Sequence, residues 1–156
     1  MRRLLCVLAL TTLSGCLLQN LSATRQLTDQ VYAFNDEIRW ARMDLATERV
    51  APEYRPEFLQ RHRSWGHDVQ IADFDTTHVQ ISDDMESATS LVTISWYDER
   101  TMELHTSVMQ QLWVKLEGGS FMLNRVRVVG GEATLLEEAE AEAAQEPVAA
   151  AEPTAS

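Results

Sequence analysis

The chain has 156 residues, of which 45 % are hydrophobic and 24 % charged, enough for one domain with a buried core. Its formal net charge is −11. That balance argues against nucleic acid as a partner, because phosphate contacts need clustered cations, and against adhesion to anionic lipid head groups by charge alone.

The amino terminus reads as a secretory signal. Arg2 and Arg3 precede an apolar run from Leu4 to Leu10, then Thr11-Thr12 and Leu13-Ser14-Gly15-Cys16. The run is too short to span a bilayer as a permanent helix. A cysteine directly after small residues changes the meaning of the site. Leu13-Ser14-Gly15-Cys16 resembles the lipobox of bacterial lipoproteins. The resemblance implies lipidation of the Cys16 sulfur, cleavage after Gly15 and acylation of the new amino group. Each buried methylene is worth ~0.8 kcal/mol, so two or three chains on one residue make release negligible. The covalent lipid and the bilayer are thus the first expected partners. Leu17 follows the cysteine and no Asp stands there, which in the enteric sorting rule favours the outer membrane, facing the periplasm. The bland alternatives are an ordinary signal peptide with a chance cysteine, or a short uncleaved anchor.

Cleavage would discard Cys6, and Cys16 would become a thioether. The mature chain, 156 less 15 or 141 residues, is then expected to be stable by packing alone, with no disulfide. Losing Arg2 and Arg3 moves the net charge from −11 to −13. The segment from Glu132 onward holds seven Glu and no Lys or Arg, which leaves the domain before it near −6.

Residues 16–23 read as a lipidated tether. A helix is expected from Thr24, with Thr24 or Thr28 as its N-cap. Leu27, Val31, Phe34, Ile38, Ala41 and Leu45 alternate spacings of four and three, one buried helical stripe. Asp29, Asp36, Arg39 and Arg42 occupy the other face. Pro52 breaks the pattern, and Pro56 opens a second helix from Glu57 to about Trp65. Gly66 closes the helical half.

The period then changes to two. Val69, Ile71 and Asp73 share one parity, with Val79 and Ile81 following, as one bent strand or two short ones. Asp83-Asp84 marks a turn. In the strand from Ala88 to Tyr97, Val92, Ile94 and Trp96 point one way and Thr93, Ser95 and Tyr97 the other. Asp98-Glu99-Arg100 is a hairpin turn. A long strand from Thr101 to Glu117 has Met102, Leu104, Val108, Leu112, Val114 and Leu116 on one parity. Gly118-Gly119 is a second hairpin turn. Phe121 to Val129 is the last strand, and Gly130-Gly131 ends the domain, taken as 24–131. Leu135 and Leu136 can start a short helix. The remaining acidic Ala/Glu/Pro-rich segment of 132–156 cannot offset its ordering entropy and reads as a largely disordered spacer.

These elements predict an α+β domain: a long N-terminal helix and a short helix packed on a curved antiparallel sheet. The local pattern is Ile38-Arg39-Trp40, Pro52-Glu53-Tyr54-Arg55, Ser95-Trp96-Tyr97, and Gln111-Leu112-Trp113 before Gly118-Gly119. It is similar to small bacterial lipoproteins of the nuclear-transport-factor-two-like superfamily, a cone-shaped fold shared with ketosteroid isomerase, scytalone dehydratase and the polyketide cyclases. The resemblance covers roughly Thr24 to Val129 and rests on packing positions. A cystatin-like helix-on-sheet or another α+β roll is the rival arrangement.

The resemblance implies a pocket between helix and sheet, where the enzymes place an Asp or His base and a polarising Tyr or protonated Asp. Tyr32, Asp36, Asp98 and His105 are the residues available for such roles, but none sits in a matching motif. Asp98 reads as a solvated turn and Asp36 as part of a charged flank. His105 shares a mixed parity with Glu103, Ser107, Met109 and Trp113. The four His, at 62, 67, 78 and 105, lack metal-ligand spacing, and there is no Cys ligand, so no metal or other cofactor is expected. The glycine pairs fit turns rather than phosphate loops. Among the tryptophans, Trp96 is the expected core member and Trp113 the reachable one. Trp40, Tyr32, Trp113 and His105 are the candidate pocket residues. Three readings follow. One is a non-enzymatic lipoprotein whose domain binds or scaffolds at the envelope. Another is an enzyme of the isomerase, dehydratase or cyclase kind acting on a small apolar molecule. The third is a subunit whose open sheet face pairs with an envelope protein or with itself.

Overall fold

The computed structural model describes residues 14–136. The basic and apolar parts of the signal and the acidic segment from 137 onward lie outside the described residues. The described chain is α+β, with helices preceding a four-stranded antiparallel sheet in the order β1-β2-β3-β4. Among the described residues, no helix is long and apolar enough to cross a membrane.

Helix α1 spans Ser14–Arg39. It does not begin at Thr24: residues 16–23 are already helical backbone of α1. No Gly or Pro interrupts 16–27, so nothing in the sequence stops the helix from extending backward. Thr24 is an interior position whose carbonyl accepts the Thr28 hydroxyl at 2.9 Å. Leu27, Val31, Phe34 and Ile38 are buried as the stripe requires.

The stripe stops there. Ala41 and Leu45 are exposed, because the helix ends at Arg39. The end is a Schellman turn. The Ala41 N–H donates to the Ile38 carbonyl at 2.9 Å, the Arg42 N–H donates to the Glu37 carbonyl at 2.8 Å, and Ala41 takes φ 53°. Glycine is the usual residue at that position, so its absence hid the break. A separate helix, α2 (Met43–Glu48), follows and buries Ala46. Replacing Ala41 by Gly removes a left-handed penalty of about 1–2 kcal/mol and adds about 0.5–1 kcal/mol of backbone entropy cost. The Ala41→Gly protein is therefore expected to melt a few degrees higher, a shift that scanning calorimetry reads directly.

After α2 the chain touches the sheet. Val50 forms a parallel bridge with Leu123, with the Ala51 N–H on the Leu123 carbonyl at 2.8 Å and the Leu123 N–H on the Arg49 carbonyl at 2.9 Å. Helix α3 spans Arg55–Arg61 with Pro56 in its first turn, shorter than the stretch to Trp65 that the sequence predicts.

Strand β1 (Val69–Ile81) is one bent strand with bulges between Ile71 and Asp73 and between Thr76 and His78. Each extra residue flips the side-chain parity. Asp73 turns outward although it alternates with Val69 and Ile71 in the sequence. Phe74 and Thr76 turn inward in its place, and Val79 and Ile81 return to the first parity. In β2 (Ser87–Asp98) the inward residues are Ala88, Ser90, Val92, Ile94 and Trp96, as alternation predicts.

Strand β3 (Leu104–Lys115) is inverted relative to expectation. Its buried residues are Ser107, Met109, Gln111 and Trp113, while Met102 and Leu104 are 70 % and 66 % exposed. Counting apolar residues misleads here, because the inner face carries polar groups that bond to one another. Strand β4 (Phe121–Gly131) follows the glycine turn and crosses to the opposite parity after Leu123. The core continues past Gly131: a 3₁₀ turn, Ala133–Leu136, buries Leu135 and Leu136. Gly131 itself is a close approach, with φ 73° and room for no Cβ, since one would lie 2.2 Å from the Thr106 carbonyl oxygen.

Candidate functional site

The space between α1 and the inner sheet face is the place where a substrate pocket is expected, and it is filled. Phe34 of α1 meets Phe58 of α3 at 5.9 Å and the edge of Trp113 at 5.8 Å. Met109, Ile94, Val92 and Leu123 complete the packing, all at most 1 % exposed. Burying each such side chain contributes roughly 1.5–3 kcal/mol.

A polar chain runs through this core. Asn35 reaches from α1 and its Nδ2 donates to the Val31 carbonyl at 2.7 Å and to Gln111 Oε1 at 3.3 Å. Gln111 Nε2 donates back to Asn35 Oδ1 at 2.8 Å. The Ser90 hydroxyl donates to Gln111 Oε1 at 2.9 Å, and Trp113 Nε1 donates to Ser90 Oγ at 3.0 Å. Every member is at most 1 % exposed. The amides and hydroxyl are neutral and mutually satisfied, so this network locks helix to sheet rather than offering a base or a charged ligand.

The candidate residues therefore separate. Trp113 is in the core at 0 % exposure, not reachable, because β3 turns its odd positions inward. His105 stacks on Trp96 with ring centroids 4.5 Å apart. Trp96, buried as expected, donates Nε1 to Ser107 Oγ at 3.0 Å. Tyr32 is half exposed on α1, edge-on to Phe74 at 6.1 Å. Trp40 is 63 % exposed at the far end of α1. Asp36 accepts Trp40 Nε1 at 3.1 Å and pairs with Arg42 at 2.7 Å, a surface cluster. Asp98 caps its turn by accepting the Arg100 and Thr101 N–H groups at 2.8 and 3.3 Å, which hold its carboxyl below the usual range. The structure does not bring Tyr32, Trp40, Trp113 and His105 into one cavity.

What it does build is an open corner beside Trp40. Arg39, Trp40, Ala41, Gln70, Ile71, Ala72 and Tyr97 line a shallow cleft of about 390 Å³. The Arg39 guanidinium sits 5.6 Å from the Trp40 ring centre and pairs with Asp73 at 3.0 Å. The Schellman turn at Ala41 and the outward bulge at Asp73 together form this corner. Neither carries a motif. On the other side of α1, Arg49 clamps Glu37 through two bonds of 2.8 Å and reaches Gln30 Oε1 at 2.7 Å. The bonds to Glu37 hold the Arg49 guanidinium more firmly protonated than usual.

Comparison with known proteins adds little to this geometry. No family model matches the chain, and no curated protein matches it. Among solved structures it is similar to a protein of unknown function with a cystatin-like fold from Nostoc punctiforme. That likeness has 9 % identity and a TM-score of 0.45, and covers 66 % of this chain and 86 % of that one.

His62 escaped the sequence reading as a residue of interest. It is 2 % exposed, at the end of α3. Its ring lies 4.2 Å from Phe58 and 4.3 Å from Trp65, centroid to centroid. Nδ1 donates to the Phe58 carbonyl at 2.8 Å, so Nε2 carries the lone pair, and it has no partner among the described residues. Burial pushes its pKa down to about 3, with the neighbouring Arg61 charge acting the same way and the Phe58 carbonyl opposing. Only the tertiary packing of Phe58 and Trp65 makes it a buried neutral imidazole. No group of three or more metal-ligating side chains is assembled among the described residues.

Proposed function

We propose that the chain is a lipid-anchored protein of the bacterial cell envelope whose nuclear-transport-factor-two-like domain serves as a non-enzymatic binding or scaffolding module. The observation that carries the anchor is Leu13-Ser14-Gly15-Cys16 placed after two arginines and a short apolar run. The binding role is supported by an interior occupied by Trp113, Phe34 and Met109, with the Trp40 corner an accessible aromatic surface among the described residues. Cys16 lies 23 residues before Arg39, the last residue of α1, about 35 Å at 1.5 Å per residue, and Trp40 follows directly. The anchor and the binding corner then stand at opposite ends of α1, with the corner held away from the lipid. The outer membrane, periplasmic side, is the proposed location.

The test is fractionation of cells expressing the full chain and its Cys16→Ser variant. The parent is expected in the membrane pellet, with an amino terminus at Cys16 carrying acyl mass. The variant is expected in the soluble fraction. A variant that pellets as firmly as the parent, or parent protein retaining an unmodified Met1, overturns the reading.

A further inference from the structure

The corner at the end of α1 is rigid, aromatic and internally charge-paired, and that combination selects a ligand. Ala41 closes the Schellman turn against Gly66, where an added Cβ would lie 2.8 Å from the Ala41 Cβ. Trp40 is fixed on this turn. Its Nε1 donates to Asp36 Oδ1 at 3.1 Å, and Arg42 Nη2 holds the other oxygen of Asp36 at 2.7 Å. An exposed side chain already held in one orientation loses little entropy when a ligand covers it. Gln70 and Tyr97, cross-strand partners on β1 and β2, line the same cleft. Gln70 Nε2 donates to Glu99 Oε1 at 2.8 Å, which leaves Gln70 Oε1 to accept. Neither that oxygen nor the Tyr97 hydroxyl makes a hydrogen bond among the described residues.

We infer that this corner binds a neutral saccharide, a gluco-configured pyranose whose flat C–H face lies on the indole of Trp40. The inference rests on the proposed reading of the domain as a binding module with this corner as its surface. Charge and shape disfavour the other ligands. The guanidinium in the cleft, that of Arg39, is paired with Asp73 at 3.0 Å, so an anion has to break that pair within an acidic domain. A cation meets the same guanidinium, which sits 5.6 Å from the Trp40 ring centre and already uses its quadrupole. A purely apolar ligand strands Arg39, Gln70 and Tyr97 away from water. An extended peptide needs a regular strand edge, and β1 is bulged here between Ile71 and Asp73. A pyranose with equatorial hydroxyls meets every condition. Its faces are C–H surfaces, weakly positive toward the negative face of an aromatic ring. Its rim carries hydroxyls that both donate and accept. They match Gln70 Oε1 as acceptor, the Tyr97 hydroxyl as either, and the guanidinium N–H groups not spent on Asp73 as donors. At about 390 Å³ the cleft lies within the ~300–1,000 Å³ range of small-molecule sites.

The test titrates the full chain, in a detergent without a sugar head group, with cellotetraose, N-acetylchitotetraose, choline chloride and sodium phosphate. Trp65, Trp96 and Trp113 are buried, so acrylamide quenching of the fluorescence reads Trp40. One or both saccharides are expected to bind saturably by calorimetry and to abolish the quenchable component. Trp40→Ala is expected to weaken binding at least about tenfold. Its urea midpoint is expected to stay with the parent's, since the side chain it removes is on the surface. Tyr97→Phe, which lacks only the hydroxyl, is expected to lose roughly two- to tenfold in affinity. A Trp40→Ala protein that binds as tightly as the parent, or saccharides that leave Trp40 open to acrylamide, overturns the inference. Protection by choline or phosphate instead overturns the saccharide and leaves the corner a binding surface, whereas protection by none of the four overturns both. The same titration on Cys16→Ser keeps the result independent of the anchor.

Discussion

Gln111→Leu is expected to destabilise the domain by about 3–4 kcal/mol, although it places an apolar side chain of similar size in an apolar core. Gln111 is the hub of the buried chain: Oε1 accepts from Ser90 and Asn35, and Nε2 donates to Asn35 Oδ1. The leucine leaves the Asn35 carbonyl oxygen without its donor and the Ser90 hydroxyl proton without an acceptor, both fully desolvated. An orphaned buried polar group costs about 1–3 kcal/mol. For a domain of about 120 residues, the loss corresponds to a fall in Tm of roughly 10–20 °C. Urea unfolding followed by tryptophan fluorescence measures it. The triple change Asn35→Leu, Ser90→Ala, Gln111→Leu removes the orphans as well and is expected to recover part of the loss. A single variant as stable as the parent would show that the network contributes nothing beyond packing.

Acid is expected to destabilise the protein well above the range where carboxylates protonate. His62 is neutral in the folded state because burial holds its pKa near 3, whereas in the unfolded chain it titrates near 6.5. Between those values the unfolded state binds the extra proton. Stability is therefore fully present above about pH 6.5 and falls as pH drops toward 3, by about 1.4 kcal/mol per unit. From pH 6.5 to 4.5 the loss is roughly 3 kcal/mol. His62→Phe keeps the ring between Phe58 and Trp65 and removes the titration. Its unfolding free energy is expected to be flat over that window while the parent's slopes. Equal slopes in the two proteins would show that His62 is solvated or partnered. The carboxylates of Asp84 and Asp98, held low by local hydrogen bonds, act only in more acidic solution.

Much of the fold is legible wherever one local rule acts alone. The helix stripe from Leu27 to Ile38, the alternation of β2 and the turn at Gly118-Gly119 need only periodicity and turn chemistry, and they stand as read. The misreadings fall where local pattern and tertiary demand diverge. Ala41 adopts a left-handed conformation without the glycine that would announce it. Bulges in β1 reverse parity at Asp73 without a marker in the sequence. In β3 the strand buries Ser107 and Gln111 in preference to Leu104 and Leu112, because Ser90, Asn35 and Glu132 supply their hydrogen bonds across 21, 76 and 25 positions of chain.

By itself the sequence determined the class of architecture, α+β with helices before the sheet, and it marked Cys16 as the residue on which the proposed location depends. Those are written in neighbouring residues: a period, a turn, a short motif. The tertiary structure alone decided that Trp113 is core while Trp40 is surface, that Gln111 is satisfied, and that His62 stays uncharged. Burial is set by what arrives from distant parts of the chain. A side chain's neighbours across the core, not its neighbours along the sequence, fix its exposure, its partners and its charge.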